Sequence, residues 1–560
     1  MYNDSSEMID ENLTDGNVGA RKERGVRDNM FVLGAITNSV VNGNSAPIQV
    51  QVMDIQKCFD KMWLEASINS LYNAGLKNDL LNLLYIENNN ANVAIKVNNK
   101  LSRRINVKNV IMQGTVWGSL KCTTQMDELN KIMKKDETLL YKYKNDTNID
   151  IGVLGMVDDT LAIAECGNKS VEKNAVVNSF VETRRLTLHQ DKSVVVHIGN
   201  PSKCKTTCPT LKVHNETMPV SNATKYLGNQ VTSSGTIKST IEDRRNRGWG
   251  KVATIMGILG EVGMGTHRVE AGLLLRKSIL HSSLLFSAEA WSCVGAKELK
   301  RLEQVDTHLL KLLLGGHAKC PSVFYHLETG TLMLRHIVMI HRMMYHRHIL
   351  TRNNSETIRK IYEKQKEETT KGDWYQLLKE DFEFVEEEIN EEEIVNNSKE
   401  EYAKKVKQMV KKTAFKLYKE KQESLKKIKD LKYDTLELKD YLRNKTFTRE
   451  ERELLVRLRS KCHDAKVNFR KMNKNNVNCS FGCNEIESQE HIFSNCLPLK
   501  TCTIKTEYEN LDKETKNQKT TISAYVQIEQ RRKKAKEALL PGGDFARTHA
   551  GLLHIDYATV

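Results

Sequence analysis

Val52-Met53-Asp54-Ile55-Gln56-Lys57-Cys58-Phe59-Asp60 and, further along, Gly155-Met156-Val157-Asp158-Asp159-Thr160-Leu161 are the stretches on which the reading of this chain turns. Each sets carboxylates at the end of an apolar segment. Ile48, Val50 and Val52 alternate along residues 48–53 and read as a strand that runs into Asp54. Residues 151–164 read as a strand, a turn at Asp158-Asp159, and a second strand. Between the two acidic clusters lies Gln113-Gly114-Thr115-Val116-Trp117-Gly118-Ser119-Leu120. Carboxylates at strand ends suit Mg²⁺, a hard cation held by one or two carboxylates together with substrate phosphates. Two such ions about 3.5–4 Å apart stabilise both the attacking and the leaving oxygen of an in-line displacement. An Asp-Asp pair taken alone is as a rule a solvated turn. The ordered set of three stretches is what carries the reading.

Working outward, residues 1–17 are polar and without period, which predicts disorder. Phe31, Val32, Ile36 and Val40 recur at helical spacing. Residues 64–85 read as one or two helices, 92–111 as a hairpin, 123–133 and 171–186 as helices, and 193–198 as a strand. Strands alternating with helices imply an α+β layer. Beyond Tyr226 the segments 237–262, 268–286, 297–314 and 332–350 are all helical in pattern, and 355–460 is charged and helical. Within it, residues 380–401 are acidic and 404–429 basic, the expected pattern of a solvated helical connector.

The chain has 560 residues, enough for three or four domains. Its 86 Lys and Arg against 71 Asp and Glu give a formal charge of +15, which suits a polyanionic partner. Charge alone does not separate such a protein from any other basic one. No secretory signal or long apolar run argues for export or a membrane span. In a reducing compartment its 12 Cys are expected to serve as metal ligands, where clustered, rather than in disulfides.

The order of the three stretches resembles motifs A, B and C of the reverse transcriptases of non-LTR retrotransposons. Supporting segments fall in matching places: Arg24-Gly25-Val26-Arg27-Asp28-Asn29 before the first, Leu188-His189-Gln190-Asp191-Lys192-Ser193 resembling motif D, and Lys225-Tyr226-Leu227-Gly228 resembling motif E. The resemblance covers roughly residues 18 to 500. It implies an α+β fold: a right-hand polymerase palm with partial fingers, then an α-helical thumb and connector and a small zinc knuckle. The expected division is a disordered 1–17, fingers and palm 18–230, thumb 231–352, connector 353–475, knuckle 476–500 and polar tail 501–560, the tail reading as a helix and a disordered end. The implied activity is RNA-directed DNA polymerisation, extending a DNA primer or nicked target on an RNA template with dNTPs and two Mg²⁺ ions. The alternative is a catalytically inactive nucleic-acid-binding remnant. The implied site of action is intracellular and nuclear, or cytoplasmic as a ribonucleoprotein, with no membrane partner.

Residue by residue, the resemblance makes Asp54 and Asp158 metal ligands and Asp159 a third ligand or its support. Phe59 would lie under the sugar of the incoming nucleotide and exclude a 2′-hydroxyl. Gln113 and Gly114 would let backbone approach the template-paired nucleotide, with Ser119 a weaker candidate for the same wall. Lys192 would approach the leaving pyrophosphate. Asp60 reads instead as a helix N-cap. The pattern departs from the family at Met156, where an aromatic is common, and at Ser119, where Pro is frequent. Family members carry further finger strands before Arg24. The chain is therefore expected to be the C-terminal part of a longer reading frame or a decayed copy, with only Arg21, Lys22, Arg24 and Arg27 left to meet a nucleotide's phosphates.

Near the C-terminus, Cys479, Cys483, His491 and Cys496 have the ligand set of a closed tetrahedral zinc site. The segment is short and polar, so metal binding is expected to supply its folding energy. Such a knuckle would contact RNA or target DNA. Cys204, Cys208 and His214 form a weaker cluster without a clear fourth ligand and read as a loop with ordinary cysteines.

Overall fold

Six consecutive buried residues, Ile48–Met53 (β1), form the central strand of a four-stranded antiparallel sheet. The computed structural model describes residues 2–89, 92–106, 111, 114–115, 117–200, 208–213, 216–261, 267–317, 319–469, 477–499 and 516–538. The other strands are Val153–Met156 (β2), Asp159–Glu165 (β3) and Val194–Ile198 (β4), in the order β4-β1-β3-β2. The polar residues of β1 are buried, and their side-chain amides bond to neighbouring segments. Gln49 donates to the Pro209 carbonyl at 3.0 Å, and Gln51 donates to Ser170 O at 3.3 Å and accepts from Asn174 at 3.3 Å. Helices Gly118–Met133 and Asn168–Thr183 cover the sheet through Met126, Leu129, Met133, Val177, Phe180 and Val181, which form one core with Met53, Ala162 and Val195.

The chain folds into two compact units that do not follow linear boundaries at 231, 353 or 476. One comprises residues 1–244, 285–300 and 337–409, the other 245–284, 301–336 and 410–560. In the first, helix Val26–Val41 meets Tyr345 and Trp374 through Phe31, with edge-on rings 5.8 and 5.3 Å apart. The second is helical, and buried charges are paired inside it. Asp306 accepts from Arg276 at 2.7 and 2.6 Å and pairs with His281 at 2.9 Å. Glu328 takes Arg459 and the hydroxyls of Tyr433 and Tyr441. Burial of these charges is tolerable only because each is paired and hydrogen-bonded.

The N-terminus corrects the expectation of disorder over 1–17. Tyr2–Glu11 is a helix, and Ile9 and Leu13 are buried with Leu71, Leu76, Leu84 and Leu120. Two apolar anchors in a polar stretch give too weak a period to read from sequence. The polar residues make up the difference. Arg21 is buried and bonds Asp10, the carbonyl of Thr14 and, at 3.0 Å, that of Asn17. No helix among the described residues is long and apolar enough to cross a membrane.

Candidate active site and metal centre

The register of the sheet brings the acidic residues together. Met53 of β1 pairs with Thr160 of β3, so Asp54, one residue beyond, falls opposite Asp159 on a neighbouring strand. Antiparallel strands are spaced at about 4.8 Å. Met156 pairs with Asp159 across the β2–β3 hairpin, which leaves Val157 and Asp158 as the two turn residues. Burial raises Asp158 and Asp159 above the usual carboxylate range. Asp54 adds to the rise at both, and Asp158 to that of Asp159. Three carboxylates that repel one another at a strand end have the electrostatics of a cation site. Lys192 Nζ lies 3.6 Å from Asp54 Oδ2, with its side chain largely exposed. The loop carrying it is fixed to the Asp54 backbone, since the His189 N–H donates to Asp54 O at 2.7 Å and the Asp54 N–H donates to Ser193 Oγ at 3.3 Å.

The hairpin turn is held in an unfavourable conformation. Val157 has φ 61°, a left-handed value that costs a β-branched residue energy. Asn17 clamps it from both sides, accepting from the Val157 N–H at 3.3 Å and donating to its carbonyl at 3.2 Å. The approach is close enough that a side chain on Gly19 would fall 2.4 Å from the Val157 nitrogen. Asn29 donates to Gly155 O at 2.8 Å, Asn130 bonds both backbone groups of Val153, and the Tyr226 hydroxyl donates to Leu154 O at 2.8 Å. Sequence reading singled out Asn29 and Tyr226 only as parts of longer stretches, and missed Asn17 and Asn130. Nothing local in a polar segment marks a clamp on a residue 140 positions away.

Residues 6–231 match the family described as reverse transcriptase (RNA-dependent DNA polymerase). This segment is a reverse transcriptase domain. Such a domain is a nucleotidyltransferase unit. No curated protein matches the chain. Two solved structures are similar to part of it. Apo telomerase from Candida tropicalis is 13% identical, over 56% of this chain and 48% of that one, with a TM-score of 0.32. Telomerase from Candida albicans, in complex with the TWJ fragment of telomeric RNA, is 10% identical, over 56% of this chain and 52% of that one, with a TM-score of 0.26. The chain spans about half the length of each.

Elsewhere in the reverse transcriptase domain, Phe59 is half-buried against the core that holds Met53 and Ile55, and its carbonyl accepts from the Ile111 N–H at 3.0 Å. Gly114 is exposed at φ 81°, a conformation that favours glycine, and a Cβ there would meet nothing within 4 Å. Gln113 lies outside the described residues. Ser119 is exposed in the first turn of helix Gly118–Met133. Asp60 sits inside the short helix Cys58–Lys61, whose N-cap is Lys57, so the capping expectation fails.

The basic residues expected to meet phosphates are engaged elsewhere. Arg27 lies over the Tyr345 ring, 5.5 Å from its centroid, and 3.3 Å from His348 Nδ1. Arg24 pairs with Glu356 at 3.1 Å, Arg21 with Asp10, and Lys22 with Glu7 at 2.7 Å. Short arginine-rich segments give no sign of which cations fold the chain and which face solvent.

Outside the reverse transcriptase domain, Cys479, Cys483, His491 and Cys496 converge, with ligand atoms all within 4.8 Å of one another. The Cys479–Cys496 and Cys483–Cys496 sulfurs are 3.8 and 3.7 Å apart. Zn–S bonds of about 2.3 Å put the sulfurs of a tetrahedral site about 3.8 Å apart. His491 is buried. Its Nδ1 is held by Glu485 at 2.6 Å, while its Nε2 is buried with no hydrogen-bond partner. A carboxylate on one ring nitrogen and a free second nitrogen are the arrangement of a zinc-ligating histidine. The residues present therefore fit Zn²⁺. One π-helical turn, His491–Asn495, sets His491 and Cys496 together, and Gly482 at φ 79° turns the chain between the first two cysteines.

The expectation that this segment lacks a core is corrected. Cys479, Ile492, Phe493, Cys496 and Leu499 form one apolar cluster with Leu454, Leu458, Tyr525 and Ile528. Helix Lys516–Ala538, within the stretch read as a polar tail, completes it. The local composition of 476–500 could not reveal apolar partners that lie on other segments.

Proposed function

We propose that the chain is an RNA-directed DNA polymerase of the non-LTR retroelement type, acting in the nucleus on a DNA primer annealed to an RNA template. The observation that supports this most is the Met53–Thr160 register, which sets Asp54 across from Asp158-Asp159 in a segment matching the reverse transcriptase family. Asp54, Asp158 and Asp159 offer the hard oxygen donors that Mg²⁺ prefers. When bound there the ion would lower the pKa of a primer 3′-hydroxyl and offset the negative charge of the phosphates. Asp54 and Asp158 orient the reacting groups, and the protein's share of the work is positioning and charge stabilisation rather than covalent chemistry. Lys192, paired with Asp54 at 3.6 Å, can move to the pyrophosphate because a surface ion pair of this kind is worth at most ~1 kcal/mol. The edge of Phe59 away from the core sets the floor under the sugar. The zinc knuckle would hold single-stranded or bulged nucleic acid.

One observation favours the second reading, a binding remnant: Arg21 and Arg24 are spent on folding and Arg27 stacks on Tyr345, so none of the three is held ready for a triphosphate. Primer extension on an RNA template with Mg²⁺ separates the two readings. Asp158→Asn is expected to lower extension by at least ~10²-fold while leaving template affinity within about threefold, since the residue does not contact template in this reading. Wild-type protein that binds template and primer but does not extend would establish the remnant.

A further inference from the structure

The loop cysteine Cys208 has partners that the sequence did not suggest. Cys166, His197 and Cys208 bring their ligand atoms within 4.8 Å of one another, and the two sulfurs are 3.3 Å apart. All three side chains are half-buried. The Nδ1 atom of His197 is buried and has no hydrogen-bond partner. The imidazole thus brings a ring nitrogen to the two thiols and holds a buried nitrogen without a partner, which is costly unless something occupies it.

The three residues come from separate parts of the chain and are fixed to one strand. Cys166 follows β3, and its N–H donates to the Pro47 carbonyl at 3.1 Å, just before β1. His197 lies in β4, paired with Gln49 of β1. Cys208 precedes Pro209, whose carbonyl accepts from the Gln49 side chain at 3.0 Å. The scaffold under the cluster is therefore residues 47–49, the start of β1. Asp54 lies beyond the other end of that strand, about 20 Å away at roughly 3.3 Å per residue.

We propose that Cys166, His197 and Cys208 bind a thiophilic d¹⁰ divalent cation, in practice Zn²⁺, as a structural site distinct from both the carboxylate cluster and the Cys479–Cys496 centre. Two thiolates and one neutral imidazole balance the charge of the ion and match its preference for sulfur and nitrogen donors. Binding releases the thiol protons to solvent and opens the sulfur pair by about half an ångström, to the ~3.8 Å of a tetrahedral site. Three protein donors leave one position of the tetrahedron, which water would fill. The ion ties residue 208, where the chain returns from β4, to the end of β3. It thereby fixes one end of the sheet whose other end carries the carboxylates. A disulfide between Cys166 and Cys208 would need the sulfurs at about 2.05 Å and would leave the His197 nitrogen unpaired.

The test uses the full chain with the other zinc centre removed by Cys479→Ser/Cys496→Ser, purified with thiols reduced. Elemental analysis is expected to find about one zinc per chain, lost when Cys166→Ser/Cys208→Ser is added. His197→Gln is expected to weaken zinc retention against a chelator by at least ~10-fold. Because the serine variants can misfold, wild-type protein supplies a second readout. Added zinc should slow alkylation of Cys166 and Cys208, mapped by mass spectrometry, by at least ~10-fold relative to chelated protein. A zinc content near zero in the reduced Cys479→Ser/Cys496→Ser protein, or alkylation of both cysteines at the same rate with and without zinc, overturns the assignment. A Cys166–Cys208 disulfide in protein handled without air overturns it as well. None of these readouts depends on polymerase activity.

Discussion

At the scale of single residues, the carboxylates owe their placement to a clamp. Val157 pays a conformational cost in the turn before Asp158, and Asn17 holds it there with one donated and one accepted hydrogen bond. Asn17→Ala leaves both backbone groups of Val157 without that partner. Thermal unfolding should show a loss of ~1–3 kcal/mol, and primer extension should fall by ~10-fold or more through misplacement of Asp158, with template affinity unchanged. A variant that is destabilised but extends normally would reduce Asn17 to a folding role. Phe59 poses a different question, because its ring is shared between the core and solvent. Phe59→Val should raise ribonucleotide incorporation relative to deoxynucleotide incorporation, read by single-nucleotide extension. An unchanged ratio would make Phe59 a packing residue only. The carboxylates were legible because alternation along 48–53 and the apolar flanks of Asp158-Asp159 are local signals. Asn17 was not, since a polar side chain bonding to backbone far away in sequence leaves no period behind.

At the scale of elements, the strands and helices around the carboxylates could be read, as could a helix after Cys496, while the N-terminal helix and the contacts that fix these polar helices could not. The strand at Ile48–Met53 and the helix at Gly118–Met133 have strong local patterns; Tyr2–Glu11 and Lys516–Ala538 are polar helices fixed by tertiary contacts. Lys516–Ala538 is tied to the knuckle by charge as well as by its apolar face. Glu487 is fully buried and accepts from Ser480 Oγ at 2.7 Å, Arg532 at 3.0 Å and Lys536 at 3.4 Å. Burial alone would raise its pKa. The Ser480 hydroxyl, Lys536 and Arg532 outweigh that and hold it down at about 2, below the ordinary Glu value of 4.5. A carboxylate with a depressed folded-state pKa stabilises the fold above its unfolded pKa and loses that contribution as pH falls through the folded one. Amide exchange in residues 516–538 should therefore accelerate as pH drops from about 4.5 toward 2, after correction for the intrinsic rate. Glu487→Gln should remove this step and destabilise the helix contact by about 3 kcal/mol at neutral pH, because it leaves Arg532 short of a buried partner. A pH profile identical in the Gln variant would assign the effect to other carboxylates.

At the scale of the molecule, a linear division into palm, thumb, connector and knuckle does not describe how the chain is built. Each compact unit gathers three separate stretches, and their boundaries fall inside helices such as Lys399–Glu423. Composition and charge change along the sequence, whereas cores form between segments distant in it, so composition shifts could not locate the units. The Cys479–Cys496 cluster proposed to hold zinc lies wholly in the second unit, in a core that draws Leu454 and Leu458 from one helix and Tyr525 and Ile528 from another. Loss of the ion should therefore spread beyond its own loop yet stop short of the palm. In Cys479→Ser/Cys496→Ser, two thiolates of the site are gone and apolar burial is left to hold residues 477–499. Amide exchange there should rise to near-unprotected rates, and helices Arg449–Arg459 and Lys516–Ala538 should lose part of their protection, because Phe493 and Ile492 no longer pack firmly on them. Strands Ile48–Met53 and Asp159–Glu165, buried in a core of their own, should keep theirs. If the zinc-site helices stay protected, the apolar cluster alone folds this region and the ion is dispensable for it. If the palm strands open as well, the two cores unfold as one cooperative body.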